Sequence, residues 1–338
     1  MPGRLFLSVF ISVSLAAAFP VWAEIEAEIE IEEAEIIEIE KIKETKKIKD
    51  STELSFTISS LPEAQLALTQ AWTFPVLRGD GFLTGGNNLQ TALFYNVTPV
   101  SMNAGLDLTL TPVAFAQIKA GGSIGTGWNC TFLDIAPIAW GLNKPEEGSE
   151  NAIISGEPFE AAVWTAYGGA VLQFDLGAVV PGDWTHILFQ TYHQINYRAN
   201  TLAGSGESWS HENDGGENRN GFNYYGNYIL GYQMPASPVL KTLALMAEME
   251  LKFYAEKDND FGDELPYWLF SGIANFELSP WFSFAAITQL ALESNFTNWN
   301  NRFDKNDDVF YKNRILNQDK PLSLNFYRLA AIFSFKLR

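Results

Sequence analysis

The sequence predicts an all-β chain closed into an antiparallel transmembrane β-barrel of about twelve strands, within a range of roughly ten to fourteen. Three observations carry that expectation. The 338-residue chain opens on an export-type segment. Runs of about ten residues then alternate apolar and polar side chains, the length a tilted strand needs to cross a bilayer. The breaks between the later runs switch regularly between short and long.

The N-terminal segment comes first. Met1–Arg4 is a short basic start, Leu5–Phe19 is apolar apart from serines, and Val21-Trp22-Ala23 has small residues where a signal peptidase reads. The apolar part is short of the ~20 residues of a membrane-spanning helix. Residues 1–23 therefore read as a signal peptide cleaved near Ala23. Residues 24–51 follow as a low-complexity Glu/Ile/Lys leader, expected to be a solvated periplasmic segment. No further run is long and apolar enough for a transmembrane helix. Cys130 is the sole cysteine, so no internal disulfide can form. A net charge of −18 repels nucleic acid and excludes it as a partner.

From residue 52 to 338 the chain reads as the barrel. Candidate strands fall at 53–59, 65–75, 88–97, 103–110, 115–124 and 163–179, then at 184–197, 222–233, 239–254, 267–278, 281–294 and 323–338. Successive strand side chains point to opposite faces, so each run splits in two. In 103–110, Ala104, Leu106, Leu108 and Leu110 oppose Asn103, Gly105, Asp107 and Thr109. In 163–179, Trp164, Leu172, Phe174 and Leu176 oppose Thr165, Tyr167, Gln173 and Asp175. In 239–254, Leu243, Leu245, Met249 and Leu251 oppose Thr242, Glu248, Glu250 and Lys252. Trp268, Phe270 and Phe276 oppose Ser271, Asn275 and Glu277, and Phe282, Phe284 and Leu290 oppose Ser283, Gln289 and Glu293. The last run sets Tyr327, Leu329, Ala331, Phe333 and Phe335 against Arg328, Ser334 and Lys336. A lipid-facing surface excludes charge and a lumen can hold it. Aromatic residues near run ends suit the interfacial girdles of such a barrel.

The breaks give a second line of argument. Short ones carry proline, as in Val180-Pro181-Gly182 and Ser279-Pro280; long polar ones fall at 125–160, 199–221, 255–265 and 296–322. That asymmetry matches short periplasmic turns and long external loops, and an even strand count puts both termini on one side.

Candidate functional residues follow from the polar face. The expected lumen-lining residues are Asp107, Gln117, Lys119, Gln173, Asp175 and Gln190 in the first half, and Glu248, Glu250, Lys252, Asn275 and Glu277 in the second. The break at 125–160 holds Trp128, Phe132 and Trp140, too apolar for a simple solvated loop, and is expected to fold inward as a constriction. Catalysis is not expected. There is no G-x-S-x-G motif; His186 takes the lumen-side phase, His193 the opposite one, and His211 a loop. Asp258, Asp260, Asp263 and Glu264 are oxygen ligands of the kind calcium uses, without EF-hand spacing, and read as an acidic loop. The Gly-rich Ala120–Gly127 lacks the Lys-Ser/Thr of a phosphate loop and reads as strand glycines admitting close packing. No cofactor is called for.

The signal segment, the alternating strands and the closing run Tyr327–Arg338 together resemble bacterial outer-membrane β-barrel proteins of porin-like type, over roughly residues 52–338. That resemblance implies outer-membrane lipid and the barrel-assembly machinery as partners, and small solutes as cargo. Members of the class commonly end on an aromatic residue; here the sequence ends Leu337-Arg338, with Phe335 the nearest aromatic. The function expected is passive diffusion of small hydrophilic solutes with a mild cation preference. The alternative is a non-conducting surface barrel that binds through its external loops.

Overall fold

The structure, a computed structural model, describes residues 48–61, 63–128, 158–180, 182, 184–204, 209, 218–235, 237–253, 265–295 and 316–337. The expected signal peptide and nearly all of the expected leader lie outside the described residues.

Twelve strands form: β1 (Lys49–Ser59), β2 (Ala64–Phe74), β3 (Asn88–Val97), β4 (Ser101–Val113), β5 (Ala116–Gly127) and β6 (Val163–Asp175), followed by β7 (Ile187–Asn200), β8 (Gly221–Gln233), β9 (Leu240–Lys252), β10 (Tyr267–Ser279), β11 (Phe282–Ser294) and β12 (Leu322–Lys336). Each pairs antiparallel with its sequence neighbours, and β1 pairs with β12, so the sheet closes on itself. Closure leaves no bare edge along the paired wall, which is the condition for surviving in hydrocarbon. All twelve candidate runs become strands. The first begins at Lys49, inside the end of the segment assigned to the leader.

Burial follows the alternation of the sequence. Along β6, Trp164, Ala166, Gly168, Ala170, Leu172 and Phe174 are exposed, while Val163, Thr165, Val171 and Asp175 are buried. Along β9, Leu243 and Leu245 are exposed, whereas Thr242, Met246 and Glu248 are buried. The apolar set points outward and the mixed set inward, the reverse of a water-soluble protein and the arrangement lipid selects.

Two elements depart from expectation. The sequence carries β6 on to residue 179, but the strand stops at Asp175. Its carboxylate accepts the Gly177 N–H at 2.8 Å and caps a 3-10 helix over Leu176–Ala178. The second departure corrects the placement of Tyr327 on the lipid face. Gln289 opposes Arg328 but Leu290 opposes Phe326, so Tyr327 is the extra residue of a bulge. Beyond the bulge the phase changes, Leu324 and Phe326 turn outward, and Tyr327 packs against a buried internal cluster.

Both termini of the sheet lie at one end, with the connections 75–87, 114–115, 176–186, 234–239 and 280–281. The opposite end carries 60–63, 98–100, 128–162, 201–220, 253–266 and 295–321. From β5 onward short and long connections alternate as expected; the early hairpins reverse the trend. Stacked aromatics ring the outer face at both ends. Phe282 lies 4.8 Å from Phe335 and Phe284 5.2 Å from Phe333 at the terminal end, and Trp164 lies 5.3 Å from Tyr197 at the other.

The barrel interior as candidate functional site

The core sits inside the barrel. Met246, Leu269, Ile273, Ile287 and Ala291 form a buried apolar cluster on the inner face of β9–β11, joined by Ile229, Tyr267, Tyr327, Ala330 and Ile332. On these strands the apolar residues alternate with the buried polar side chains of Glu248, Ser271 and Gln289, so the inner wall there is mixed.

The inward polar side chains are joined in pairs across strands. Tyr167 of β6 donates its hydroxyl to Asp107 of β4. Between them runs β5, where a Cβ at Gly121 would lie 2.5 Å from the Tyr167 hydroxyl. Gly105 of β4 similarly makes room for the Phe94 ring. Of these two, Gly121 belongs to the Ala120–Gly127 stretch that the sequence marks as strand glycines. Lys119 of β5 sets its ammonium 5.4 Å above the Tyr192 ring of β7.

Farther round, Tyr225 donates to Glu248 at 2.5 Å. Arg328 of β12 donates through Nε to Gln289 at 2.5 Å and forms an ion pair with Glu63, in the turn between β1 and β2. Gln289 Nε2 donates to Ser271 Oγ at 2.9 Å. Gln289 is 0 % exposed, Arg328 3 % and Glu248 4 %. A buried charge without a partner is costly, and each of these carboxylates receives a hydrogen bond.

The sequence-predicted residues take the following places. Asp107, Lys119 and Glu248 lie on the inner face in the contacts just described. Gln117 and Gln190 lie in the inward phase of β5 and β7, and Gln190 sits opposite Gln173. Gln173 donates to the Ala114 carbonyl at 3.0 Å and so braces the β4–β5 turn. Asp175, inward and buried, accepts from Gly177 and sits 2.9 Å from His186 Nδ1. Its carboxylate is an anchor of the 3-10 turn. Glu250 and Lys252 lie inward towards the end opposite the termini, across from Tyr225 and Asn223. Asn275 lies at a register irregularity, and Glu277 is exposed at the terminal rim.

Trp128 stands at the root of the long 128–162 connection. Its Nε1 donates to the Pro99 carbonyl at 2.8 Å and its ring lies 5.4 Å from Phe159, which ties it to the β3–β4 turn. Phe132 and Trp140 lie outside the described residues. So do Asp258, Asp260, Asp263 and Glu264, and His211. Among the described residues no group of three or more His, Cys, Asp or Glu could hold a metal ion. His193 is on the outer face, its Nδ1 2.6 Å from the Tyr224 hydroxyl.

Sequence reading missed Glu63 altogether. It lies in a turn, where strand periodicity says nothing. Tyr225 sits in an expected strand, but its pairing with Glu248 depends on cross-strand register.

No protein-family model matches the chain, and no curated protein matches it. Among solved structures it is similar to the KdgM porin in complex with disordered oligogalacturonate, at 8% identity and a TM-score of 0.36, covering 85% of this chain and 99% of that one. It is also similar to the translocator domain of the autotransporter NalP from Neisseria meningitidis, at 11% identity and a TM-score of 0.36, covering 90% of this chain and 94% of that one. Both are too remote to carry function across. The chain's own topology makes it a closed twelve-stranded antiparallel barrel.

Proposed function

We propose that the chain is a bacterial outer-membrane pore for passive diffusion of small hydrophilic solutes, with a mild cation preference and no enzymatic role. In this reading residues 1–23 direct export and are removed near Ala23. The barrel-assembly machinery inserts the remainder, and outer-membrane lipid surrounds it. The observation that carries the reading is the inner face, polar from Gln117 and Gln173 near one end, through Asp107 and Glu248, to Glu250 and Lys252 near the other. Groups of both signs suit hydrated solutes, and the overall charge of −18 favours cations. The 125–160 segment would narrow the external mouth from its root at Trp128.

A second reading has its own support. Gln289, Arg328 and Glu248 are almost wholly buried, as side chains filling a lumen would be. A filled barrel would act as a non-conducting surface protein binding through its external loops.

Single-channel recording separates the two. Residues 24–338, refolded into a planar bilayer, should give discrete steps with cation preference, reduced in Glu248→Gln/Glu250→Gln. Deletion of 130–155 should enlarge the steps. A barrel that shows heat-modifiable gel mobility and never conducts would replace the pore with the surface-binding reading.

A further inference from the structure

The barrel wall is not closed evenly. β11 and β12 pair from Phe282 opposite Phe335 up to Ser294 opposite Leu322. β1 and β12 pair only from Glu53 opposite Lys336 to Ser59 opposite Ala330. Two hydrogen bonds extend the junction by one residue: Ser60 N–H donates to the Leu329 carbonyl at 2.8 Å, and Leu329 N–H to Ser60 Oγ at 3.0 Å. Beyond them β12 runs on past the end of β1. Among the described residues, Leu322–Phe326 have a strand neighbour on the β11 side alone.

That stretch stands where the wall still faces an apolar phase, since Leu324 and Phe326 point outward and are 58% and 60% exposed. A bare strand edge is costly in hydrocarbon and tolerable beside a polar interior. The notch is bridged by side chains. Arg328, just inside it, reaches Glu63 in the 60–63 turn, and Ser59 Oγ donates to the same carboxylate at 2.9 Å. Gln289 holds the guanidinium from the other side. Behind this bridge lie Leu269, Ala291, Tyr267 and Tyr327 of the internal apolar cluster, with Gln289 and Ser271 between them already hydrogen-bonded.

We propose that the upper β1–β12 seam is a lateral opening between barrel interior and membrane, latched by the Glu63–Arg328 pair, and that it passes an amphiphile with a single alkyl chain. Three observations combine here: the strand ladder ends early, among the described residues one ion pair bridges the gap, and part of the internal apolar cluster lies behind it. A backbone ladder must be unzipped bond by bond, whereas one ion pair can be exchanged for contacts with a charged or polar headgroup. The apolar cluster beside the gap would pack against an alkyl chain, and the polar Gln289 and Ser271 within it are already hydrogen-bonded. The inference rests on the membrane placement proposed above and does not require conduction along the barrel axis.

Thiol labelling of the full chain in liposomes tests it. Cys130→Ser removes the native thiol, and Ala291→Cys places a reporter on the inner wall. N-dodecylmaleimide dissolved in the bilayer should label the reporter at least about tenfold faster when Glu63→Gln releases the latch. The reversed pair, Glu63→Arg with Arg328→Glu, should return the rate to that of the parent. A sulfonated, water-confined maleimide should gain much less from Glu63→Gln. Should the reversed pair fail to fold, Glu63→Lys, which repels Arg328, must accelerate labelling at least as much as Glu63→Gln. Equal rates in parent and Glu63→Gln would overturn the proposal, and so would equal acceleration of both reagents. A barrel that labels as expected but never conducts loses the axial pore and keeps the opening. One that conducts without this labelling pattern keeps the pore and loses the opening.

Discussion

Inside the barrel, large inward side chains are accommodated by small neighbours on the next strand. A Cβ at Gly121 would stand 2.5 Å from both the Tyr167 hydroxyl and the Leu106 carbonyl oxygen. The latter is backbone and cannot swing away. Gly121→Val should therefore cost about 1–3 kcal/mol, the usual range for overpacking. Its urea midpoint, followed by loss of the compact gel band, should fall below that of the parent. Tyr225→Phe removes the hydroxyl that hydrogen-bonds the buried Glu248 carboxylate. Leaving a buried charged acceptor short of a donor costs about 1–3 kcal/mol or more, and the same titration should show it. Tyr225→Phe with Glu248→Gln should recover part of the loss, because a neutral amide needs the missing donor less. At this scale the sequence is half legible. Parity along the strand puts Asp107 and Glu248 inward, but their partners Tyr167 and Tyr225 are found only once the strand register is known.

The strands themselves are the most legible level, because side-chain alternation is imposed by the geometry of the extended chain. Strand ends are less so. Asp175 ends β6 by capping a 3-10 turn, and the bulge at Tyr327 changes the phase of β12; neither leaves a periodic signal. The first strand offers a clear test. Thr57 pairs on both sides, with Gln65 and Ile332. Thr57→Pro removes an N–H and distorts the strand at the closing seam. It should abolish the compact, heat-modifiable band. Lys49→Pro, at the first residue of β1 and paired to β2 alone, should retain that band. If both proline variants keep the compact band, β1 does not close the barrel.

For the whole molecule, closure with twelve strands places Lys49 and Lys336 at the same end and the 253–266 and 295–321 connections at the other. An epitope inserted in 254–264 should be reached by antibody from one side of a sealed vesicle, and a tag after Arg338 from the opposite side only. Detection of both from the same side would contradict the strand count. Barrel closure also explains how a chain with one cysteine and an unusually exposed apolar surface stays folded. Along the paired wall its backbone hydrogen bonds are satisfied between strands, and lipid takes the outward Leu and Phe that water would reject.

Taken by itself, the sequence determined the fold class, a count of about twelve strands, which residues share a face except beyond the bulge of the last strand, and where the long connections fall from β5 onward. All of these depend on local periodicity and on turn residues, which are written in consecutive positions. Tertiary structure alone decided which inward groups meet. Asp107 with Tyr167, Glu248 with Tyr225 and Arg328 with Glu63 are joined by register, by a bulge and by closure between the first and last strands. It also decided that the seam between β1 and β12 is short. That seam joins residues from opposite ends of the barrel-forming chain, and no local pattern can set how far a first strand climbs along a last one.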